Sequence, residues 1–199
     1  LALALLVALP AAAAGQKRGG TLRAAFGSDP PTLDPAQATD TTSSAVIRQI
    51  FDTLVELDAT LTPVPALAER WSVSKDQRVY TFALRAGVRF HHGRELKAAD
   101  VKYVLERAAN PETKHPQRAR YAAIADIIVK DDFTVTLRLK ELDANFLLTL
   151  ARQGSVIYPR EAADTLKTAP LGTGPFVVSE WVRGDRIVLA KNKDYHVKG

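Results

Sequence analysis

Phe90-His91-His92-Gly93 sets two imidazoles side by side, and imidazole is the commonest protein ligand for transition metals. Neighbouring residues in a strand point to opposite faces, so this pair does not converge on one ion. His115 and His196 stand at no ligand spacing from them, and the chain has no cysteine, so the usual donor set for zinc is not assembled. A turn closing at Gly93 accounts for the pair. Gly172-Thr173-Gly174-Pro175-Phe176 offers two glycines but lacks the Lys-Ser/Thr of a phosphate-binding loop, and reads as a tight turn entering a strand. No G-x-S-x-G elbow is present, and no serine has a His-Asp arrangement beside it. Asp131-Asp132 precede a strand as solvated turn acids, and Trp71, Trp181 and Tyr121 read as packing residues. The residues predict no catalytic group, no metal ligand and no cofactor, which favours binding over catalysis.

The elements that would position these residues are mixed. Gly19–Phe26 reads as a first strand, followed by a loop dense in Gly, Asp and Pro. Asp40, or a Thr or Ser just after it, can cap a helix whose buried face carries Ile47, Ile50, Phe51, Leu54 and Val55. Pro63 and Pro65 break the connection up to Trp71. Val79–Arg85 alternates as a strand with Tyr80, Phe82 and Leu84 on one face, and Ala98–Ala109 is amphipathic, with Val101, Val104, Leu105 and Ala108 on one side. Phe133, Val135, Leu137 and Leu139 alternate with polar residues as a half-buried strand. Asp143 is placed to cap a short helix bearing Phe146, Leu147 and Leu150, and another short helix follows Pro159. Two last strands meet at Gly184-Asp185. The class is α/β or α+β, without internal repeats.

Of the 199 residues, 46% are hydrophobic, enough to build a core. The net charge of +5 is dispersed among acids and apolar residues. It forms no clustered stripe with interleaved aromatics, so nucleic acid is not an expected partner. Residues 1–14 contain only Leu, Ala, Val and Pro. They are too few to span a bilayer, and with Ala12 and Ala14 set as A-x-A they read as the end of a truncated signal peptide rather than a buried helix. An exported chain without cysteine has no lipobox residue to acylate and forms no disulfide, which points to a soluble periplasmic protein.

The stretch Pro65–Arg107, "PALAERWSVSKDQRVYTFALRAGVRFHHGRELKAADVKYVLER", resembles the motif of the family 5 extracellular solute-binding proteins, the dipeptide, oligopeptide and nickel receptors of ABC importers. Trp71, Tyr80, Phe82, Leu84, Arg85, Val88, Phe90, His91, Gly93 and Asp100-Val101 match its pattern. So do "TLDP" at Thr32–Pro35, "GTGPF" at Gly172–Phe176 and "NKDYHVKG" at Asn192–Gly199. The resemblance runs in order from residue 19 to 199. Within it His91 has a structural role, His92 stands where the family often has Asp or Asn, and Lys97 replaces a Thr that commonly caps the next helix. Asp100 is expected to support that helix, since an acid in the first turn is favourable.

The resemblance implies an α/β, class II periplasmic-binding-protein fold of which this chain is the first lobe, a mixed sheet with flanking helices. Residues 15–50 and 160–199 would form the lobe's core and 51–159 a side subdomain. The family continues well beyond this length, so the second lobe is expected to be missing here. The implied function is a periplasmic receptor, monomeric when full length, that delivers di- or oligopeptides to ABC permease subunits in the inner membrane. A nickel chelate, an opine or a sugar is the alternative solute, and an exported hydrolase the alternative of a different class. The implied substrate-binding residues are Thr39, Asp40, Thr41 and Thr42, where a polar loop meets a helix N-terminus with free N–H groups. Capping of the helix explains the same four residues.

Overall fold

The first helix begins where the side chain of Asp40 turns back on its own backbone. Asp40 is extended (φ −94°, ψ 160°) and its Oδ1 accepts the Ser43 N–H at 2.7 Å, starting α1 (Thr41–Ile50). This cap satisfies one of the donors that a helix start leaves free. The computed structural model describes residues 19–197, and the expected signal segment lies outside them.

The apolar periodicity that begins in α1 runs on through Val55, and Ile47, Ile50, Phe51, Leu54 and Val55 are all buried. The helix nevertheless stops at Ile50, with Phe51 extended at φ −127°, ψ 150°. The turn Gly172-Thr173-Gly174 packs directly on this end, and the Gly174 N–H donates to Ile50 O at 2.9 Å. A Cβ on either glycine would overlap the Ile50 carbonyl group, so the turn needs glycine for close approach. Val55 then opens β1 (Val55–Leu57), antiparallel to β2 (Pro63–Pro65).

The core is an antiparallel sheet in the order β3-β4-β6-β5, formed by β3 (Ala68–Val73), β4 (Val79–Leu84), β5 (Ile124–Asp131) and β6 (Thr134–Leu139). Tyr80, Phe82 and Leu84 of β4 are buried and the residues between them half-buried, as the alternation predicts. Burying a side chain such as Phe82 favours folding by about 2 kcal/mol. Thr136 is buried as well, and its hydroxyl lies 3.1 Å from that of Thr81 opposite it. The proline-broken connection, expected to hold no long regular element, carries only the three-residue β2 and then the first residues of β3. Trp71 lies in β3 across from Phe82, their rings 6.4 Å apart.

Helix α2 (Ala98–Ala109) has the expected bounds and buries Val101, Val104, Leu105 and Ala108. Lys97 offers no side-chain cap. Instead, Asp100 Oδ2 accepts the Lys97 N–H at 2.9 Å, and Arg94 grips the same carboxylate at 2.7 and 3.0 Å. After α3 (Arg118–Tyr121), β5 and β6 comes α4 (Phe146–Leu150). Its cap position is Asn145, not the expected Asp143, which lies two residues earlier and takes the Asn145 N–H at 2.8 Å. The segment after Pro159 is a 3-10 turn, Arg160–Ala162. β7 (Phe176–Val182) and β8 (Arg186–Lys191) pair through the turn at Gly184-Asp185.

The expected strand at Gly19–Phe26 does not form. None of the described strands runs beside it, and Leu22 and Phe26 are 93% and 54% exposed. A strand needs a ladder partner for its backbone groups. No helix among the described residues is long and apolar enough to cross a membrane.

Candidate functional site

Thr39 and Thr41 are exposed, and Asp40 and Thr42 half-buried, at the start of α1. Asp40 is thus a cap, as the sequence allows. Partial burial pushes its carboxyl up, but hydrogen bonds from the Ser43 N–H and hydroxyl and from neighbouring backbone N–H groups together outweigh this and hold it below the ordinary carboxylate range. The Thr41 N–H has no acceptor among the described residues. An exposed helix start with a spare donor and small hydroxyls is suited to the carbonyl and carboxylate oxygens of a polar solute.

Two neighbouring elements frame this start. On one side, the Ser28 hydroxyl lies 3.3 Å from that of Thr42, which links the loop before Pro30 to α1. The same loop is held by the end of β7 and the residue after it: Trp181 Nε1 donates to Asp29 at 3.4 Å, Arg183 donates to Pro30 O at 2.6 Å, and the Arg183 guanidinium lies 3.5 Å from the centre of the Trp181 ring. On the other side, Gln153 Nε2 donates to Ala38 O at 3.4 Å, placing the 3-10 turn Gln153–Ser155 against the residue before Thr39. Gln153, Trp181 and Arg183 were not legible as site neighbours, because they lie more than a hundred residues along the chain from the loop they touch.

The loop's floor is a buried ion pair. Asp34 Oδ1 takes the Ala36 N–H at 2.9 Å, and its Oδ2 lies 3.3 Å from Arg107, whose other terminal nitrogen donates to the Tyr158 hydroxyl at 2.8 Å. Burial opposes the charge on Arg107, but its contacts with Tyr158 and Asp34 outweigh that and keep it protonated. Burial pushes the Tyr158 phenol up to about 12. The "TLDP" residues therefore serve as scaffold for the segment that follows them.

The histidine pair is scaffold too. The His91 Nε2 lies 3.1 Å from Gly174 O, and its Nδ1 accepts the Gly172 N–H at 3.4 Å. That arrangement requires the neutral ring protonated on Nε2, and burial lowers the His91 pKa accordingly. His92 instead reaches Glu161 at 3.1 Å, on the surface. Both rings border an open depression of about 410 Å³ that extends to Trp181.

Residues 62–199 match the family model described as bacterial extracellular solute-binding proteins, family 5 Middle. The glutathione-binding protein GsiB of Salmonella paratyphi A is 35% identical over 179 residues, covering 88% of this chain and 35% of that protein. This chain thus spans about a third of that relative's length. Among solved structures, the periplasmic binding protein AgaA in complex with agropinic acid, from A. tumefaciens R10, superposes with a TM-score of 0.82 at 36% identity, covering 86% of this chain and 36% of that one. The binding protein DppA from Helicobacter pylori, in complex with the peptide STSA, superposes with a TM-score of 0.79 at 33% identity, covering 86% and 39%.

Proposed function

The chain belongs to the bacterial extracellular solute-binding proteins of family 5, and from that premise we propose that it forms part of a periplasmic receptor that captures small peptides for an ABC importer. The single observation that carries this reading is the α1 start: exposed Thr39 and Thr41 beside a spare N–H, held between two anchored loops. A peptide presents carbonyl oxygens at regular intervals, and main-chain hydrogen bonds let one receptor tolerate many side chains. Thr39, Asp40, Thr41 and Thr42 form one wall of the cleft, and closure of a second lobe over it completes the contacts. In this reading residues 51–159, which carry the β3–β6 sheet, are a side subdomain of the lobe, and residues 15–50 and 160–199 supply its remainder. The receptor acts as a monomer, exported by a signal segment at residues 1–14, and engages permease subunits rather than catalysing a reaction.

Similarity to the glutathione-binding protein and to the peptide-bound DppA supports peptides; the likeness to AgaA in complex with agropinic acid favours an opine as the second reading. Calorimetric titration of the full-length protein with di- and tripeptides, an opine, a nickel–histidine chelate and a sugar decides between them. Saturable binding of peptides, recovered unhydrolysed, is the expected result. Binding of the opine alone, or release of cleaved products, overturns it.

A further inference from the structure

The tip of the β1–β2 hairpin holds a leucine in a backbone conformation that suits glycine. Leu61 has φ 63° and is 70% exposed. Its N–H donates to Asp58 O at 3.0 Å, and the Asp58 N–H donates to Thr62 O at 3.0 Å. Asp58 Oδ1 also takes the N–H groups of Thr60 and Thr62, at 2.8 and 3.0 Å, and the Thr60 hydroxyl at 2.7 Å. A hairpin loop closed by a left-handed residue favours glycine there, because a Cβ crowds the following carbonyl oxygen. The loop therefore holds Leu61 in a conformation that its own side chain opposes.

The turn itself does not call for an apolar side chain. The other described non-glycine residues with positive φ are Gln77 at 55° and Lys114 at 52°. Each donates its N–H to the carbonyl three residues back, as Leu61 does, at 2.9 and 3.1 Å. Both are polar and exposed, so the same backbone task is met elsewhere by side chains that water solvates. Leu61 instead combines strain with a large apolar group in solvent, and Leu57 of the same hairpin is 37% exposed. Strain of this kind persists where a side chain serves a function. That function is not solute contact: β1 starts beyond the C-terminal end of α1, opposite Thr39–Thr42, and among the described residues no hydrogen bond or ion pair joins residues 57–63 to residues 28–42. A contact at the tip leaves the solute wall free. Glu56 and Asp58 beside the tip are exposed, so two copies meeting tip to tip would oppose like charges. An apolar socket rimmed by lysine or arginine on a different protein complements both features.

We propose that Leu61 is the residue by which the receptor docks on its importer, seated in an apolar, basic-rimmed socket on the outer face of a permease subunit. The proposal rests on the transport reading above. Its test places the photo-cross-linker benzoylphenylalanine at position 61 of the full-length protein, in the cells that make it. Irradiation is expected to give an adduct with a membrane-embedded permease subunit, identified by mass spectrometry. No adduct, or an adduct with a second copy, with a later segment of the same chain or with a protein that is not a permease, overturns the proposal. Leu61→Gly then relieves the strain and removes the side chain together. Its melting temperature is expected to equal or exceed that of the wild type, with calorimetric affinity for trialanine within about twofold. Cellular uptake of labelled trialanine is expected to fall about tenfold, as loss of one buried leucine contact predicts. A lower melting temperature shows that the chain's own remainder covers Leu61, and undiminished uptake shows that no importer does; either result overturns the proposal. If the wild type binds no trialanine while the permease adduct forms, the peptide reading falls and the docking stands.

Discussion

Asp52 and His196 lie 3.9 Å apart, Oδ2 to Nδ1, with side chains only 4% and 7% exposed, joining the end of α1 to the segment after β8. Thr173 and Tyr195 donate to the Asp52 carboxylate at 2.8 and 3.3 Å. Burial pushes the Asp52 carboxyl up from 3.8 to about 6, and the negative charge of Glu56 adds to the rise. Burial pushes His196 down from 6.5 to about 4, helped by the Arg85 cation. At neutral pH the imidazole is therefore uncharged and the contact is not an ion pair.

These two shifts act on stability in opposite directions. The Asp52 contribution is complete below pH 3.8 and is lost as pH rises through about 6; the His196 contribution is complete above pH 6.5 and is lost as pH falls through about 4. Between those limits the folded chain gains one proton that the unfolded chain lacks, and lacks one that the unfolded chain holds. Relative to wild type, Asp52→Asn is expected to lose melting temperature as pH falls from 6.5 to 4, and His196→Phe to gain it. Differential scanning across that range checks both, and parallel curves for all three proteins would show the pair to be uncoupled from folding.

Gly172→Ala and Gly174→Ala should each destabilise by about 2 kcal/mol, the range for forced overpacking. The added methyl meets the Ile50 carbonyl group, which is main chain and has little freedom to yield. Urea unfolding measures the shift in midpoint. Gly27→Ala is the control, since its Cβ would meet nothing within 4 Å.

Removing one partner of a buried ion pair leaves the other charge unpaired, at a cost of about 3 kcal/mol. Asp34→Ala takes the carboxylate from Arg107, whose side chain is 17% exposed, and also frees the Ala36 N–H. A loss of that size in denaturant unfolding is expected. The double variant Asp34→Ala/Arg107→Met should recover part of it, because the stranded cation is gone.

Thr41→Trp and Thr42→Trp in the full-length protein should weaken peptide binding by about tenfold or more while leaving the melting curve nearly unchanged, because the substitutions fill the wall without touching the Asp40 cap. Asp40→Ala is the contrasting case and should lower stability by about 1 kcal/mol. Unaltered peptide affinity in the Trp variants, or a loss matched by unfolding, would reduce the segment to a helix cap.

Where one element's own residues carry its instructions, the chain could be read directly. The apolar stripe of α2 and the acid at Asp100 gave the helix its bounds, the alternation through Tyr80, Phe82 and Leu84 gave β4 its buried face, and Gly184 at φ 73° marked the β7–β8 turn. Family membership was legible for a similar reason, since its motif is a run of residues at fixed spacings. Other features depended on partners far along the chain. The same apolar series that continues to Val55 ends as a helix at Ile50, where Gly172 and Gly174 pack on it, and Gly19–Phe26 has strand composition without a neighbouring ladder. Ala38 meets Gln153, and Asp52 meets His196, across more than a hundred residues. Such contacts leave no period or local signal in the sequence. The sequence determined what each segment prefers; the tertiary structure decided where the preference stops and which distant charges share a site, because burial and Coulomb energy depend on distance in space rather than along the chain.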